Sequence, residues 1–171
     1  MGLDYKVRSA KKEDFTAIQD VVYTSWHDTY EGIIPRDIQD EFLNSSYSNK
    51  TMQQRIEYSH LYVVESDKRI EGFANFSPVS EEGVSILYAI YLYPDTQGKG
   101  MGTKLLEYAI DELSPAFIHL NVEKDNKKGM SFYQTKGFQI ISEFTENISG
   151  HTLYTCKMEL DVNRYNTGRA S

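Results

Sequence analysis

A chain of 171 residues, 40% hydrophobic and 25% charged, is long enough to close one core of its own without disulfides. Its net charge of −7 gives it no electrostatic hold on nucleic acid or on an anionic membrane and leaves only a weak attraction for cationic small molecules. A single cysteine, Cys156, allows neither an internal disulfide nor a thiolate metal site. No pair among His27, His60, His119 and His151 has metal-ligand spacing, so no metal is expected. The N-terminus lacks an apolar core of signal-peptide length and no apolar run approaches a membrane span, so a cytoplasmic protein is the expectation.

In chain order, Leu3 to Arg8 reads as a short strand. Phe15, Ile18, Val22 and Trp26 then recur at helical spacing behind acidic Glu13 and Asp14. Pro35 opens a second helix carrying Ile38 and Phe42, and a third runs from about Met52 to Tyr58. Leu61–Glu65 and Ile70–Phe76 form a hairpin across Ser66-Asp67-Lys68-Arg69. Val84–Tyr93 is a longer apolar strand stopped by Pro94. Met101–Leu113 is helical, with Leu105, Leu106, Ala109, Ile110 and Leu113 on one face. Phe117–Val122 is a strand, and Asn126–Lys136 a helix closed by Gly137. Phe138–Phe144 and Thr152–Leu160 make a last hairpin turning near Ser149-Gly150. Residues 1–161 form one domain, followed by a polar, mobile tail over 162–171. The order predicts a mixed α/β sheet of about seven strands, built from hairpins and one β-α-β crossover and flanked by about four helices.

The connection Gln97-Gly98-Lys99-Gly100-Met101-Gly102-Thr103 lies between a buried strand and an amphipathic helix. Its glycines permit positive φ and close approach of backbone N–H groups to a ligand, and the helix behind adds partial positive charge. A pyrophosphate is the natural guest, with Lys99 and Lys104 as outer charge. Standing alone, such a loop reads first as a tight chain reversal. It is neither a P-loop, whose Gly-Lys-Ser/Thr is missing, nor a dinucleotide fingerprint, which requires glycine where Thr103 stands.

Gln97-Gly98-Lys99-Gly100-Met101-Gly102 resembles the Gln/Arg-x-x-Gly-x-Gly/Ala signature of the GNAT acetyltransferase superfamily. Asn126 to Phe138 is similar to the second motif of that superfamily, Asn-x-x-Ala-x-x-Phe-Tyr-x-x-x-Gly-Phe. Trp26-His27-Asp28-Thr29-Tyr30-Glu31-Gly32 looks like a Trp-x-x-Thr-Tyr-x-Gly segment of bacterial members. The resemblance runs from about Tyr5 to Leu160. It implies a GNAT-like fold, mostly antiparallel with a splayed central parallel pair, and acetyl-CoA as co-substrate with its pyrophosphate on Gln97–Thr103. It further implies a bulge near Ala89–Tyr91, with the backbone N–H near Ile90 meeting the thioester oxygen and Leu92 pairing with the pantetheine arm. Asn126 would hydrogen-bond that arm, although an N-cap is its equally good structural role. Tyr133 would be the acid that protonates the departing thiolate, where position alone suits a half-buried aromatic as well.

Two residues depart from the pattern: Gly129 replaces alanine, and Ile86 stands where many members carry a glutamate base. The base is therefore unassigned among His27, Asp28, Glu31, Glu81, Glu82, Tyr88, His119, Asn121 and water. Tyr30, Trp26 and Tyr88 are the expected acceptor-side residues, Trp26 being core as well. The acceptor is expected to be the primary amine of a small molecule such as a polyamine or amino metabolite. A peptide amine, or a non-catalytic acetyl-CoA-binding module, is the alternative. A homodimer is left open.

Overall fold

The computed structural model describes residues 4–169. Its sheet has seven strands: β1 (Tyr5–Ser9), β2 (His60–Ser66), β3 (Arg69–Phe76), β4 (Val84–Leu92), β5 (Phe117–Glu123), β6 (Gln139–Ile148) and β7 (His151–Asp161). They lie in the order β1-β2-β3-β4-β5-β7-β6, and every neighbouring pair is antiparallel except β4 and β5. The expected first strand residue, Leu3, lies outside the described residues. Both hairpin turns place consecutive residues at positive φ, Asp67 and Lys68 in one, Ser149 and Gly150 in the other. That conformation matches the twist of the flanking strands.

Helices cover both faces. Against one face, α1 (Phe15–Tyr30), α2 (Arg36–Ser46) and α3 (Asn49–Tyr58) pack Ile18, Val22, Leu43 and Met52 onto Leu61, Val63 and Phe73. Ser48 caps α3 by accepting from the Thr51 N–H at 3.2 Å, so this helix starts three residues before the expected Met52. Against the other face, α4 (Met101–Leu113) buries Leu105, Leu106, Ala109 and Ile110 on Phe76, Ile118 and Leu120. Leu113 lies at the margin of that core. α5 (Lys127–Lys136) ends at Gly137, whose φ of 103° only glycine takes at little cost.

Among the described residues six α-helices stand where about four were expected, and one takes the place of the expected mobile tail: Val162–Arg169 forms α6. It has no apolar stripe to announce it. Buried Val162 and polar ties to α4 hold it instead: Tyr165 donates to Glu107 at 2.7 Å, and Arg169 grips Asp111 with two hydrogen bonds. Among the described residues no helix is long and apolar enough to cross a membrane.

The central parallel pair is short. Val84–Ile86 pair with Phe117–His119, and beyond them the strands part: the rest of β4 follows β3, and the rest of β5 follows β7. The divergence begins where Asn75 opposes Ala89 but Phe76 opposes Leu87, which leaves Tyr88 as an extra residue in β4. Such a bulge bends and twists its strand. It sits just before the expected Ala89–Tyr91, because the change of register with β3, not the β4 sequence, decides its place.

Candidate active site

Two elements line the mouth of the divergence. Gly98 and Gly100 have φ of 82° and 86°, and Gly100 is the N-cap of α4. The first intrahelical bond is donated by Lys104 to the Gly100 carbonyl at 3.1 Å. The N–H groups of Gly100, Met101, Gly102 and Thr103 therefore have no acceptor within the helix, and no side chain caps them. Gly102 belongs to the helix and needs no positive φ. It is small because a Cβ there would stand 3.2 Å from the Phe132 ring. Gln97 turns its amide back to the Leu92 carbonyl at 3.4 Å. Lys99 and Lys104 are exposed. Unspent donors, a positive helix end and room where Cβ atoms would crowd are what an anionic phosphate group requires.

The second element is β4 itself. Tyr93 donates its N–H to Glu71 of the β3 side, so by antiparallel alternation Ala89 and Tyr91 also bond toward β3. Ile90 and Leu92 then point their N–H and C=O groups the other way, into the gap that β5 has left. Their side chains pack in the core beside α4.

Three elements, α1, β4 and α5 with its cap, bring polar side chains together. Tyr133 of α5 packs edge-on against Phe132 and Phe138, with centroids 5.6 and 5.5 Å away. Burial raises its phenol well above the ordinary value, with nearby Tyr91 adding to the rise. Tyr30 of α1 is only 7% exposed and packs tilted against Trp26 with centroids 4.6 Å apart, and Trp26 also stacks on Phe42 at 4.8 Å. Burial raises Tyr30 too, followed by the neighbouring Tyr91 and Tyr133, and the Asn126 amide opposes the rise. Tyr91 of β4 is raised by burial, with the Trp26 indole beside it working the other way. That indole N–H completes no hydrogen bond among the described residues.

Asn126 caps α5, its Oδ1 accepting from Gly129 N–H at 3.0 Å. A Cβ on residue 129 would lie 2.7 Å from the Asn126 amide nitrogen. The departure from alanine at 129 is thus the space that this Asn126 conformation occupies. The amide keeps a face toward Tyr30.

The expected bases are largely committed elsewhere. His27 pairs with Asp40 at 2.8 Å, Glu31 with Arg36 at 3.0 Å and His119 with Glu159 at 2.8 Å. Asp28 faces Lys128 of α5 at 3.9 Å. Glu81 and Glu82 sit exposed in the turn before β4, and Asn121 is exposed. Ile86 is 42% exposed and Tyr88 55% exposed at the bulge, whereas Trp26 and Tyr30 are buried. One acidic residue was missed by sequence reasoning: Glu123, the last residue of β5, is 7% exposed. It follows Phe117, His119 and Asn121 on the face opposite the apolar run Ile118, Leu120 and Val122. A charge ending such a run next to Asn126 was the available signal.

The buried phenols predict an alkaline limit to stability. Desolvation raises the buried Tyr30 and Tyr47 and the partly buried Tyr91 and Tyr133, so the fold favours the neutral phenol. This stabilisation is complete below the unfolded value of about 10 and is lost as pH rises above it. Melting temperature should fall steeply above about pH 10, with phenolate absorbance of the buried group appearing together with unfolding. Full ionisation of all 13 tyrosines in a still folded chain would contradict this.

Residues 20–138 match the family model described as the acetyltransferase (GNAT) family. The chain is similar to the uncharacterized N-acetyltransferase YuaI of Bacillus subtilis, 30% identical over 153 residues that span 84% of this chain and 86% of that one. It is 25% identical over 147 residues to the spermidine N(1)-acetyltransferase of Thermoplasma acidophilum, covering 81% of this chain and 90% of the other. In fold it is similar to the PaiA N-acetyltransferase of T. acidophilum solved with coenzyme A, with a TM-score of 0.78 and 23% identity over 93% of this chain and 99% of that one. With the glycine loop, the parted parallel strands and the Asn126–Phe138 motif around α5 in their places, the chain belongs to the acetyltransferase (GNAT) family.

Proposed function

We propose that this acetyl-CoA-dependent N-acetyltransferase acetylates the primary amine of a small cationic molecule, of the polyamine or amino-metabolite class. The observation that carries the reading is the convergence of Tyr30, Tyr91, Asn126 and Tyr133 at the end of a gap whose mouth holds four unspent helix N–H groups. The N–H groups of residues 100–103 hold the pyrophosphate. The Ile90 and Leu92 backbones line the pantetheine path, and the Ile90 N–H steadies charge gathering on the thioester oxygen. The acceptor nitrogen attacks the thioester carbon directly, and Tyr133 gives the departing sulfur its proton. The net charge of −7 suits a cationic acceptor, and the similarity to a spermidine acetyltransferase supports that class.

The test is acetyl-CoA-dependent thiol release across spermidine, amino acids, aminated metabolites and short peptides. Turnover is expected with small cationic amines, and turnover confined to peptides would overturn the acceptor class. In the same assay Tyr30→Phe is expected to raise acceptor KM several-fold while leaving cofactor KM in place. The Tyr30 hydroxyl lies beside the Asn126 amide while its ring serves the core next to Trp26. If neither constant moves, Tyr30 is structural only.

A further inference from the structure

Glu123 is one of two buried glutamates whose Oε2 has no hydrogen-bond partner among the described residues; the other, Glu71, has an arginine, Arg69, at 3.5 Å from its Oε1. Glu123 lies at the end of β5, where that strand has parted from β4, and is 93% buried by its 7% exposure. Oε1 accepts from the Asp125 N–H at 3.3 Å, while buried Oε2 has no hydrogen-bond partner among the described residues. No salt bridge to Glu123 occurs among them either, although Arg and Lys partners hold several acids elsewhere. A carboxylate oxygen left buried and unpaired is costly. A fold tolerates that cost where a ligand completes the pairing. Tyr30 from α1 feels the charge, which pushes the phenol further up, and Thr155 of β7 lies opposite but gives its hydroxyl to Glu146 at 2.8 Å. Glu123 also precedes by three residues the Asn126 that caps α5, the helix carrying Tyr133.

We infer that the unpaired Oε2 of Glu123 receives the acceptor's ammonium group and takes its first proton, supplying the base absent at Ile86. The assignment rests on the reading that the chain acetylates cationic amines. In the step, R–NH3+ passes one proton to Glu123, which becomes the neutral acid. The freed nitrogen lone pair forms the N–C bond to the thioester carbon, and the C–S bond breaks with its electron pair on sulfur. Sulfur takes the Tyr133 proton, and the second nitrogen proton returns through water to Tyr133. Glu123 then releases its proton to solvent, so the products are the amide, the free thiol and one proton. An ammonium group meets the orphaned oxygen with a charge-assisted hydrogen bond before reaction, and a neutral amine offers only a weaker, uncharged one. Specificity for cations and activation of the nucleophile therefore come from the same atom.

Glu123→Gln keeps the shape and removes both charge and basicity. The wild-type chain and this variant are assayed with ethylamine, which is cationic at neutral pH, and with 2,2,2-trifluoroethylamine, which is largely neutral there. The expected loss with ethylamine is about 10²–10⁴ in kcat/KM, the usual worth of a positioned base. A much smaller loss is expected with the fluorinated amine. Calorimetry should show unchanged affinity for coenzyme A, and spermidine bound to the coenzyme A complex about 10–100-fold more weakly, the value of one hydrogen bond to a charged group. Equal losses with both amines would make Glu123 a structural residue and overturn the assignment, as would undiminished turnover or unchanged spermidine affinity. A wild-type chain that acetylates no amine at all overturns the proposed function and this assignment together. Should Glu123→Gln not fold, Glu123→Asp keeps the charge one methylene short. A misplacement of about 1 Å is worth up to about 10²-fold, and again only the cationic amine should feel it.

Discussion

Tyr133→Phe is expected to lower kcat by about 10²–10⁴, the range of general acid catalysis, while folding and coenzyme A affinity survive. The substitution removes one oxygen and keeps the ring that packs against Phe132 and Phe138. Burial holds the phenol neutral across the whole working pH range, so the proton is always present. The same burial makes Tyr133 a reluctant acid. Transfer becomes favourable only as the C–S bond breaks, because a thiolate emerging in that dry gap is penalised as the phenolate would be. It follows that no alkaline loss of kcat below about pH 10 comes from Tyr133, whose ordinary value is already about 10 and which is raised from there. The measurement is kcat for Tyr133→Phe beside a coenzyme A titration, repeated with a thioester of poorer leaving thiol. Full activity on that thioester would make Tyr133 a wall residue.

Gly100→Val and Gly102→Val are expected to lose acetyl-CoA affinity by about 10²-fold or more, the worth of one or two hydrogen bonds to a charged group. They fail for different reasons. Residue 100 has φ of 86°, which costs an L-residue about 1–2 kcal/mol and turns the helix-end N–H groups off their aim. Residue 102 is helical, and its Cβ would push against the Phe132 ring 3.2 Å away, filling space beside the free N–H groups. Gly98 has open space around its Cβ position but the same positive φ, so Gly98→Ala tests conformation without crowding. Calorimetry with coenzyme A, alongside melting temperature, separates lost affinity from lost fold. Unchanged affinity in both valine variants would remove the pyrophosphate from this loop.

What the sequence alone determined about this protein is what neighbours in the chain decide. The apolar spacing of Leu105, Leu106, Ala109 and Ile110 made α4 legible, the glycines at 98, 100 and 137 marked turns only they take cheaply, and the Ser149-Gly150 hairpin was visible from its residues. The loop and the Asn126–Phe138 motif together pointed to the family, since each motif serves a local backbone shape. Tertiary structure decided the rest. The bulge falls at Tyr88 because β3 changes register there, a relation between strands that neither strand encodes alone. Helix α6 owes its place to Glu107 and Asp111 on α4, so no periodicity of its own announced it. Tyr88 and Tyr30 looked alike as acceptor-side tyrosines, yet one is exposed at the bulge and the other buried against Trp26. Glu123 went unnoticed because an unpaired oxygen is defined by what fails to reach it from α1, β7 and α5. Burial and hydrogen-bond satisfaction are sums over partners remote in sequence, and only the folded chain carries out that sum.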